Sequence, residues 1–319
     1  MTQTMSVTPS TRPARLARGL ALLGFGLLAA CAGKDAAAPP GPAAAAAQPA
    51  PPTREQLLAA TVEGVFHAPV TLEAGRYPGA AERRASRATL TLLEPTVVFG
   101  DVDGMPPGEA VALLSAGGTS GAETVHVAAF AMRDGRATSI ATAPVGDRAR
   151  VFRSWLERDR LHVDVVEPAP GEAACCPTQL TRKVYGWQDG TLALLEATAV
   201  GTLSINLLAA TDWMLVEMDG QPLGEGLLPP TALIQYGKIT GFAGCNRYSG
   251  PVEERRPGSF AVGDVVATRK GCEAPAMTLE TQFLERLARV DAYAFSAGRL
   301  VLTGPGASKA ERTTLVFAR

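Results

Sequence analysis

The sequence predicts an α+β fold with two small sheet-rich domains, the second carrying an amphipathic helix packed on its sheet. Aromatic residues make up 6% of the 319 residues and charged residues 19%, whereas Gly and Pro are frequent, a composition that favours short strands and turns. Short alternating apolar segments recur along the chain, and turn dipeptides such as Asp134-Gly135 separate some of them. Residues 278–290 instead place their apolar side chains at helical spacing.

The N-terminal segment has the features of a secretory signal peptide. Three arginines within residues 12–18 precede an apolar run at residues 19–30, which is shorter than the roughly 20 residues that a membrane-spanning helix needs. The run ends in Leu28-Ala-Ala-Cys31, which resembles the lipobox of bacterial lipoproteins, where the cysteine is acylated and becomes the new N-terminus. We therefore expect residues 1–30 to be a lipoprotein signal peptide and Cys31 to be the lipidation site. The alternative is a signal peptide that merely contains a cysteine.

Residues 31–53 are expected to form an extended tether. They are rich in Ala and Pro and contain almost no large apolar side chain, so they cannot bury enough surface to offset the entropy of ordering. Such a spacer extends by about 3 Å per residue where it is polyproline-like. In Gram-negative lipoproteins, an alanine such as Ala32 after the acylated cysteine favours the outer membrane. The expected location is therefore the outer membrane, lipid-anchored and facing the periplasm, and this argument applies to a Gram-negative host only.

Charge and cysteine content narrow the classes of partner and cofactor. The chain has 30 basic and 31 acidic residues without a long basic run, which argues against nucleic-acid binding. Besides Cys31 it has four cysteines, and in an oxidising compartment these can pair in three ways. Adjacent Cys175 and Cys176 are candidates for a vicinal disulfide, either as a structural corner or as a redox-active ring. No metal site or cofactor is expected, since the cysteines lack both metal-ligand spacing and a neighbouring histidine.

Residues 54–203 are expected to form a sheet-rich middle domain. Asp101-Val-Asp103-Gly104 indicates a tight turn rather than a calcium loop, because Met105-Pro-Pro107 follows where further oxygen ligands would be needed. The three histidines, His67, His126 and His162, are scattered and are expected to be ordinary strand or loop residues. The predicted strands lie at residues 87–93, 96–99, 109–114, 124–130, 148–152, 160–166 and 180–185.

Three short segments give the middle domain a resemblance to bacterial lipoproteins of the LppP/LprE type. They are Gly117-Gly-Thr, Val145-Gly-Asp-Arg148 and Cys175-Cys-Pro-Thr178. No reaction is established for those lipoproteins, so this resemblance implies a class of envelope protein and no reaction.

Residues 204–319 are expected to form the second domain, a small sheet with one helix. The helical pattern begins at Thr278, which is predicted to be the N-cap, and it places Glu280 in the first turn, where the helix dipole favours an acidic residue. The predicted strands lie at residues 211–220, 232–236, 239–243, 260–262, 265–269, 292–295, 299–302 and 313–317.

Ordered motifs in this region resemble the META (HslJ-like) domain family. They are Trp213 near the first strand, Gly244-Cys-Asn-Arg-Tyr-Ser-Gly250, Ala267-Thr-Arg-Lys-Gly-Cys272, the helix opening at 277–280 and the terminal strand. The resemblance implies a compact envelope-facing or secreted domain without established enzymatic chemistry. Within it, Cys245 and Cys272 each follow a glycine, and we expect them to form a disulfide.

The 244–250 loop allows two interpretations. Its glycines supply backbone freedom, and Asn246 and Arg247 can hydrogen-bond neighbouring carbonyls, which indicates a structural corner. Alternatively, it is an exposed recognition loop with Asn246, Arg247 and Tyr248 as its contacts.

Function is expected to be binding rather than catalysis. No nucleophile with a plausible base partner is evident in residues 204–319, and no catalytic residue is predicted. We expect a non-enzymatic envelope lipoprotein that binds a protein, peptide or lipid partner in envelope maintenance or stress response. Two alternatives are an envelope hydrolase whose catalytic carboxylates cannot be paired from sequence, and a passive spacer.

Overall fold

The computed structural model describes residues 50–78, 88–117, 123–308 and 311–319. Residues 48–319 belong to one compact unit. The proposed signal peptide, Cys31 and nearly all of the tether lie outside the described residues, so the expectations about them stay predictions. Within the described ranges, no helix has the length and hydropathy needed to cross a bilayer.

The first sheet, sheet 1, follows a one-turn helix, α1 (Arg54–Leu57), whose N-cap is Thr53. In the described chain its strands lie in the order β2-β1-β8-β7-β6-β4-β3, with β5 also paired to β6. β1 pairs with β8 in parallel, whereas the neighbouring hairpins are antiparallel. These strands are β1 (Thr61–Val62), β2 (Val70–Thr71), β3 (Arg76–Tyr77), β4 (Thr89–Leu92), β5 (Val98–Gly100), β6 (Glu109–Gly117), β7 (Glu123–Arg133) and β8 (Arg136–Asp147).

The second sheet, sheet 2, is an antiparallel meander in the order β12-β11-β10-β9. Its strands are β9 (Arg150–Glu157), β10 (Arg160–Glu167), β11 (Gln179–Gln188) and β12 (Thr191–Thr202). Sheet 2 packs face to face on sheet 1. Leu113 and Val127 of sheet 1 share one buried cluster with Val163 and Val165 of sheet 2.

Both faces of β6 are buried, which explains its nearly continuous apolar sequence. Leu113 faces sheet 2, whereas its neighbours Ala112 and Leu114 belong to a separate cluster beneath α1 and the N-terminal strands. A strand that is covered on both faces has a continuous apolar sequence rather than an alternating one. The described strands of sheets 1 and 2 therefore form stacked layers.

The third sheet, sheet 3, contains the C-terminal strands in the order β18-β17-β16-β15-β13-β22-β21-β20, with β14 beside β13 and β19 beside β17. α2 (Ala274–Leu287) packs on it through Phe283 and Leu287. The strands are β13 (Trp213–Met218), β14 (Gln221–Pro222), β15 (Thr231–Gln235), β16 (Lys238–Phe242), β17 (Arg247–Glu253), β18 (Ala261–Val262), β19 (Val266–Ala267), β20 (Ala292–Ser296), β21 (Arg299–Pro305) and β22 (Arg312–Ala318).

These elements confirm the predicted fold class: the described chain is mostly β-sheet, with a helix in the C-terminal region. One apolar cluster joins the two halves, since Phe152, Val166 and Leu180 of sheet 2 pack with core residues of sheet 3 such as Trp213. The division into domains at about residue 203 stays a prediction.

Candidate functional site

A disulfide closes the corner between β16 and β17. Cys245 and Cys272 are bonded, with their Cα atoms 6.0 Å apart, and the bond ties the start of β17 to the segment that leads into α2. Gly244 precedes the bond with a φ of +113°, and a Cβ there would lie 3.2 Å from the side chain of Leu279. A larger residue would therefore be both strained and crowded at this position.

Asn246 is the centre of this corner and is buried. Its side-chain oxygen accepts hydrogen bonds from Thr268 Oγ1 at 2.8 Å and from the Lys270 amide at 2.7 Å. Its side-chain nitrogen donates to the Lys270 carbonyl and to Glu280 Oε1, both at 3.1 Å. The amide therefore fastens the segment after β19 to the corner and to α2.

Glu280 completes the corner from α2, and its position corrects a prediction. The sequence predicts Thr278 as the N-cap, but α2 begins at Ala274, with Glu273 as N-cap and a proline in the first turn, where its fixed φ is favourable. Glu280 consequently lies in the second turn rather than the first. It is buried, and its Oε2 accepts the Asn246 backbone amide. Its role is to bind the corner, not to complement the helix dipole.

The three proposed recognition contacts do not lie together on the surface. Asn246 and Tyr248 are each about 3% exposed, and the Tyr248 hydroxyl donates to the Thr231 carbonyl at 2.9 Å. Arg247 is exposed, and its backbone amide donates to Thr268 Oγ1. The recognition-loop interpretation is therefore wrong for Asn246 and Tyr248, because their polar atoms are used inside the fold. The structural-corner interpretation matches these contacts.

Cys175 and Cys176 lie in an exposed loop between β10 and β11. Both thiols are free, and their Sγ atoms are 2.8 Å apart. Glu172 organises the loop, accepting the backbone amides of Ala169 and Thr178 at 2.9 and 3.1 Å. The Cys175 thiol raises the pKa of Cys176, which nearby arginines oppose. The structure thus contains the dithiol form of this pair rather than the vicinal disulfide.

A groove opens beside these thiols, and we call it the thiol groove. It has a volume of about 790 Å³ and lies between the 175–178 segment, the 256–259 loop and strands β20 and β21. Arg150 and Arg256 lie on its rim, and Arg150 donates to the Cys175 carbonyl at 3.2 Å. Both halves of the chain thus contribute walls to the groove.

An acidic cluster lies at the 101–109 turn. One carboxylate oxygen from each of Asp101, Asp103 and Glu109 falls within 4.8 Å of the others. Burial raises the pKa of Glu109, whose Oε2 accepts the Val102 amide at 2.8 Å. Asp101 and Asp103 accept backbone amides of the same turn, so the carboxylates stabilise the turn that the sequence predicts.

A charged and aromatic cluster covers the face of sheet 2 that points away from sheet 1. Asp164 is fully buried and accepts hydrogen bonds from Arg153 Nε and Arg182 Nε, each at 2.8 Å. Both guanidinium groups lie over the ring of Trp155, at 4.8 and 4.9 Å from its centroid, and His162 stacks on the same ring. His162 is thereby a packing residue of this cluster.

Comparison with known proteins identifies one region. The META domain profile matches residues 206–319, so the chain carries a META domain over most of sheet 3 and α2. No curated protein matches the chain. A solved structure described as "NMR structure of the protein from Burkholderia xenovorans" is 25% identical and aligns with 39% of this chain and 93% of its own, with a TM-score of 0.30. The META domain suggests an envelope-associated function.

Proposed function

We propose that the protein is a non-enzymatic lipoprotein of the outer membrane that binds an acidic, extended segment of another envelope protein in the thiol groove. The observation that carries this proposal is the groove itself, since its volume of about 790 Å³ suits a short peptide segment and both halves of the chain line it. A META domain over residues 206–319 supports an envelope role.

The charge of the groove favours an acidic occupant. Asp291 also lines it, but this carboxylate is paired with Arg312 at 3.3 Å. Arg150 and Arg256 form no ion pair among the described residues, so their charges remain on the rim. Complementary charge at a rim raises the association rate and disfavours wrong partners.

Anchoring is tested separately from binding. Cys31→Ser should release the protein into the soluble envelope fraction or leave the precursor uncleaved. Fractionation and labelling with a radioactive fatty acid measure this. If the variant remains a processed, lipid-labelled membrane protein, the proposed acylation at Cys31 is wrong, whereas the groove proposal still stands.

Partner binding is tested with a photocrosslinker attached to a thiol in the groove. Cys175→Ser leaves Cys176 as the labelled residue. The control carries serine at both positions and an exposed thiol through Thr191→Cys, at the start of β12, which pairs with the far end of β11. The crosslinked species from native membranes is identified by mass spectrometry. We expect an envelope protein to be captured from Cys176, and not from the control.

A charge reversal tests whether the crosslinked protein is captured because it binds in the thiol groove. Arg256→Glu should abolish capture, whereas Arg133→Glu, on the exposed β7–β8 hairpin, should not. Equal capture from both labelled positions, or capture that survives Arg256→Glu, would refute binding in the groove. Exclusive capture of lipid would refute the peptide and assign a lipid partner instead.

A further inference from the structure

Four arginines converge on a second cavity, and we call it the arginine cavity. It has a volume of about 290 Å³ and is lined by Arg54, Arg153, Arg299 and Arg319, together with residues such as Ser154. The four arginines come from separate elements: α1, β9, the start of β21 and the residue after β22. The charges are therefore brought together by the tertiary fold rather than by a basic run.

Two of the arginines are held in place by backbone groups. Arg54 donates to the carbonyls of Glu94 and Val97 at 3.1 and 2.8 Å. Arg319 donates to the Phe152 carbonyl at 3.3 Å and lies over the Phe152 ring at 4.8 Å. Neutral carbonyls orient these guanidinium groups but leave their charges uncompensated.

Arg299 has a buried side-chain donor, Nε, without a hydrogen-bond partner in the described structure. It follows a tight turn at Ala297-Gly298, which a hydrogen bond from the Gly298 amide to the Val151 carbonyl fixes against β9. The Nε of Arg299 is buried and makes no hydrogen bond in the described structure. A buried donor without a partner costs about 1–3 kcal/mol, so it marks a place where an acceptor is expected.

Acidic groups near the cavity do not neutralise it. Asp164 is the counter-ion of Arg153, but it also binds Arg182, so one carboxylate serves two cations. Glu94 and Glu217 line the neighbouring cavity that Arg299 also borders, and neither forms an ion pair with it in the described chain. Burial lowers the pKa of Arg319, and repulsion from Arg153 lowers it further, which reflects the surplus of positive charge.

We infer that the arginine cavity binds a phosphate group, either as a free phosphate or as the phosphate of a lipid headgroup. Guanidinium groups bind phosphate oxygens with charge-assisted, often bidentate hydrogen bonds, and several of them around one cavity suit a dianion better than a single carboxylate. Ser154 also lines the wall, and its hydroxyl donates to the Thr96 carbonyl at 3.2 Å, so the arginines supply the donors for the anion. This site is separate from the thiol groove and does not depend on the function proposed for that groove.

The test uses the full chain with Cys31→Ser, which keeps a lipid anchor out of the measurement. Binding of inorganic phosphate is measured by calorimetry at constant ionic strength. Binding of vesicles is measured by flotation, with phosphatidic acid in phosphatidylcholine compared with phosphatidylcholine alone. Binding of phosphate but not of vesicles assigns a free anion, and binding of phosphatidic acid vesicles alone assigns a lipid headgroup. If neither probe binds, the inference is overturned.

Two matched variants test whether binding depends on the arginine cavity itself or only on the overall positive charge of the protein. Arg299→Gln removes the arginine whose Nε lacks a partner, and Arg136→Gln is its control. Both arginines follow a two-residue turn with φ values of 51° and 76°, but Arg136 is on the exposed β7–β8 hairpin. We expect Arg299→Gln to weaken the affinity of whichever probe binds by about tenfold or more, since charge-assisted hydrogen bonds are lost. Arg136→Gln should leave it unchanged.

Stability of the unliganded protein gives an independent readout. A purely structural Arg299 would make its Gln variant unfold more easily, whereas removal of an uncompensated charge should leave the unliganded melting temperature equal or higher. Equal loss of affinity in both variants, or a lower melting temperature with unchanged affinity in Arg299→Gln, would overturn the inference.

Discussion

Replacement of Asn246 by alanine should strongly destabilise the C-terminal half of the chain. The side chain makes four hydrogen bonds of 2.7–3.1 Å, three with Thr268 and Lys270 and one with Glu280. A neutral hydrogen bond contributes about 1 kcal/mol net, and one to a charged group about 1.5–3 kcal/mol. Allowing for partial replacement by water, the expected loss is about 3–5 kcal/mol in the free energy of unfolding.

Urea unfolding followed by tryptophan fluorescence measures this loss, because Trp213 is buried in the core of sheet 3. The control is Asn206→Ala, an exposed asparagine in the same half of the chain, which should change stability by no more than about 0.5 kcal/mol. The urea dependence of the unfolding free energy should stay constant if only stability changes.

An isosteric variant tests the reason for the loss. Asn246→Asp keeps the shape but replaces the donor that faces Glu280 with an oxygen, so two carboxylates would meet in a buried site. Its destabilisation should be at least as large as that of the alanine variant at neutral pH, and it should diminish on acidification, since a protonated carboxyl can donate. A loss below about 1 kcal/mol for the alanine variant, or no pH dependence for Asn246→Asp, would refute this account of the corner.

Three further predictions concern other parts of the fold. Replacing Cys245 and Cys272 by alanine should lower the unfolding free energy by about 3–4 kcal/mol in urea, because the bond closes a loop of about 28 residues; a change under about 1 kcal/mol would contradict a stabilising bond. Residues 204–319 should fold alone but melt below the full chain, since Phe152 and its neighbours are absent; loss of cooperative calorimetric unfolding would mean that both halves share one core. Burial raises the pKa of Asp219, but hydrogen bonds from the Thr314 amide and Arg286 outweigh burial and lower this pKa below 3.8. The ionised Asp219 therefore stabilises the folded chain fully above pH 3.8, and this stabilisation is lost as the pH falls further. Asp219→Asn should remove this acid-labile part, and an unchanged acid-unfolding curve would contradict the assignment.

Most of the longer strands with large apolar residues could be predicted from the sequence. An exception is β17, because the sequence indicates a loop at 244–250, whereas residues 247–250 pair with β16. The pattern at residues 160–166 is strong because Leu161, Val163 and Val165 alternate toward sheet 1. β8 and β12 escaped prediction because small residues and threonines dominate them, and most side chains of β12 are exposed. Their pairing in sheets 1 and 2 comes from neighbouring strands, which outweigh local preference.

The parts of the candidate sites that depend on long-range contacts also could not be predicted from the sequence. Residues 244–250 indicate a corner from their own chemistry, but nothing local shows that Glu280 closes it from another element. Arg54, Arg299 and Arg319 are separated by up to most of the folded chain, and no spacing rule connects them. Only a signal that pairs distant positions could have found them, whereas the adjacent Cys175 and Cys176 were evident at once.

The position of β22 has a consequence for biosynthesis. It follows every other strand in chain order, yet it lies between β13 and β21, where Met214 pairs with Ala318 and Leu302 with Leu315. Sheet 3 therefore cannot be completed on a growing chain until its latest strand has emerged, and contacts of such long sequence separation form slowly. It also means that removal of Arg312–Arg319 would separate β21 and β20 from the rest of sheet 3, which should leave a chain that proteases cleave readily.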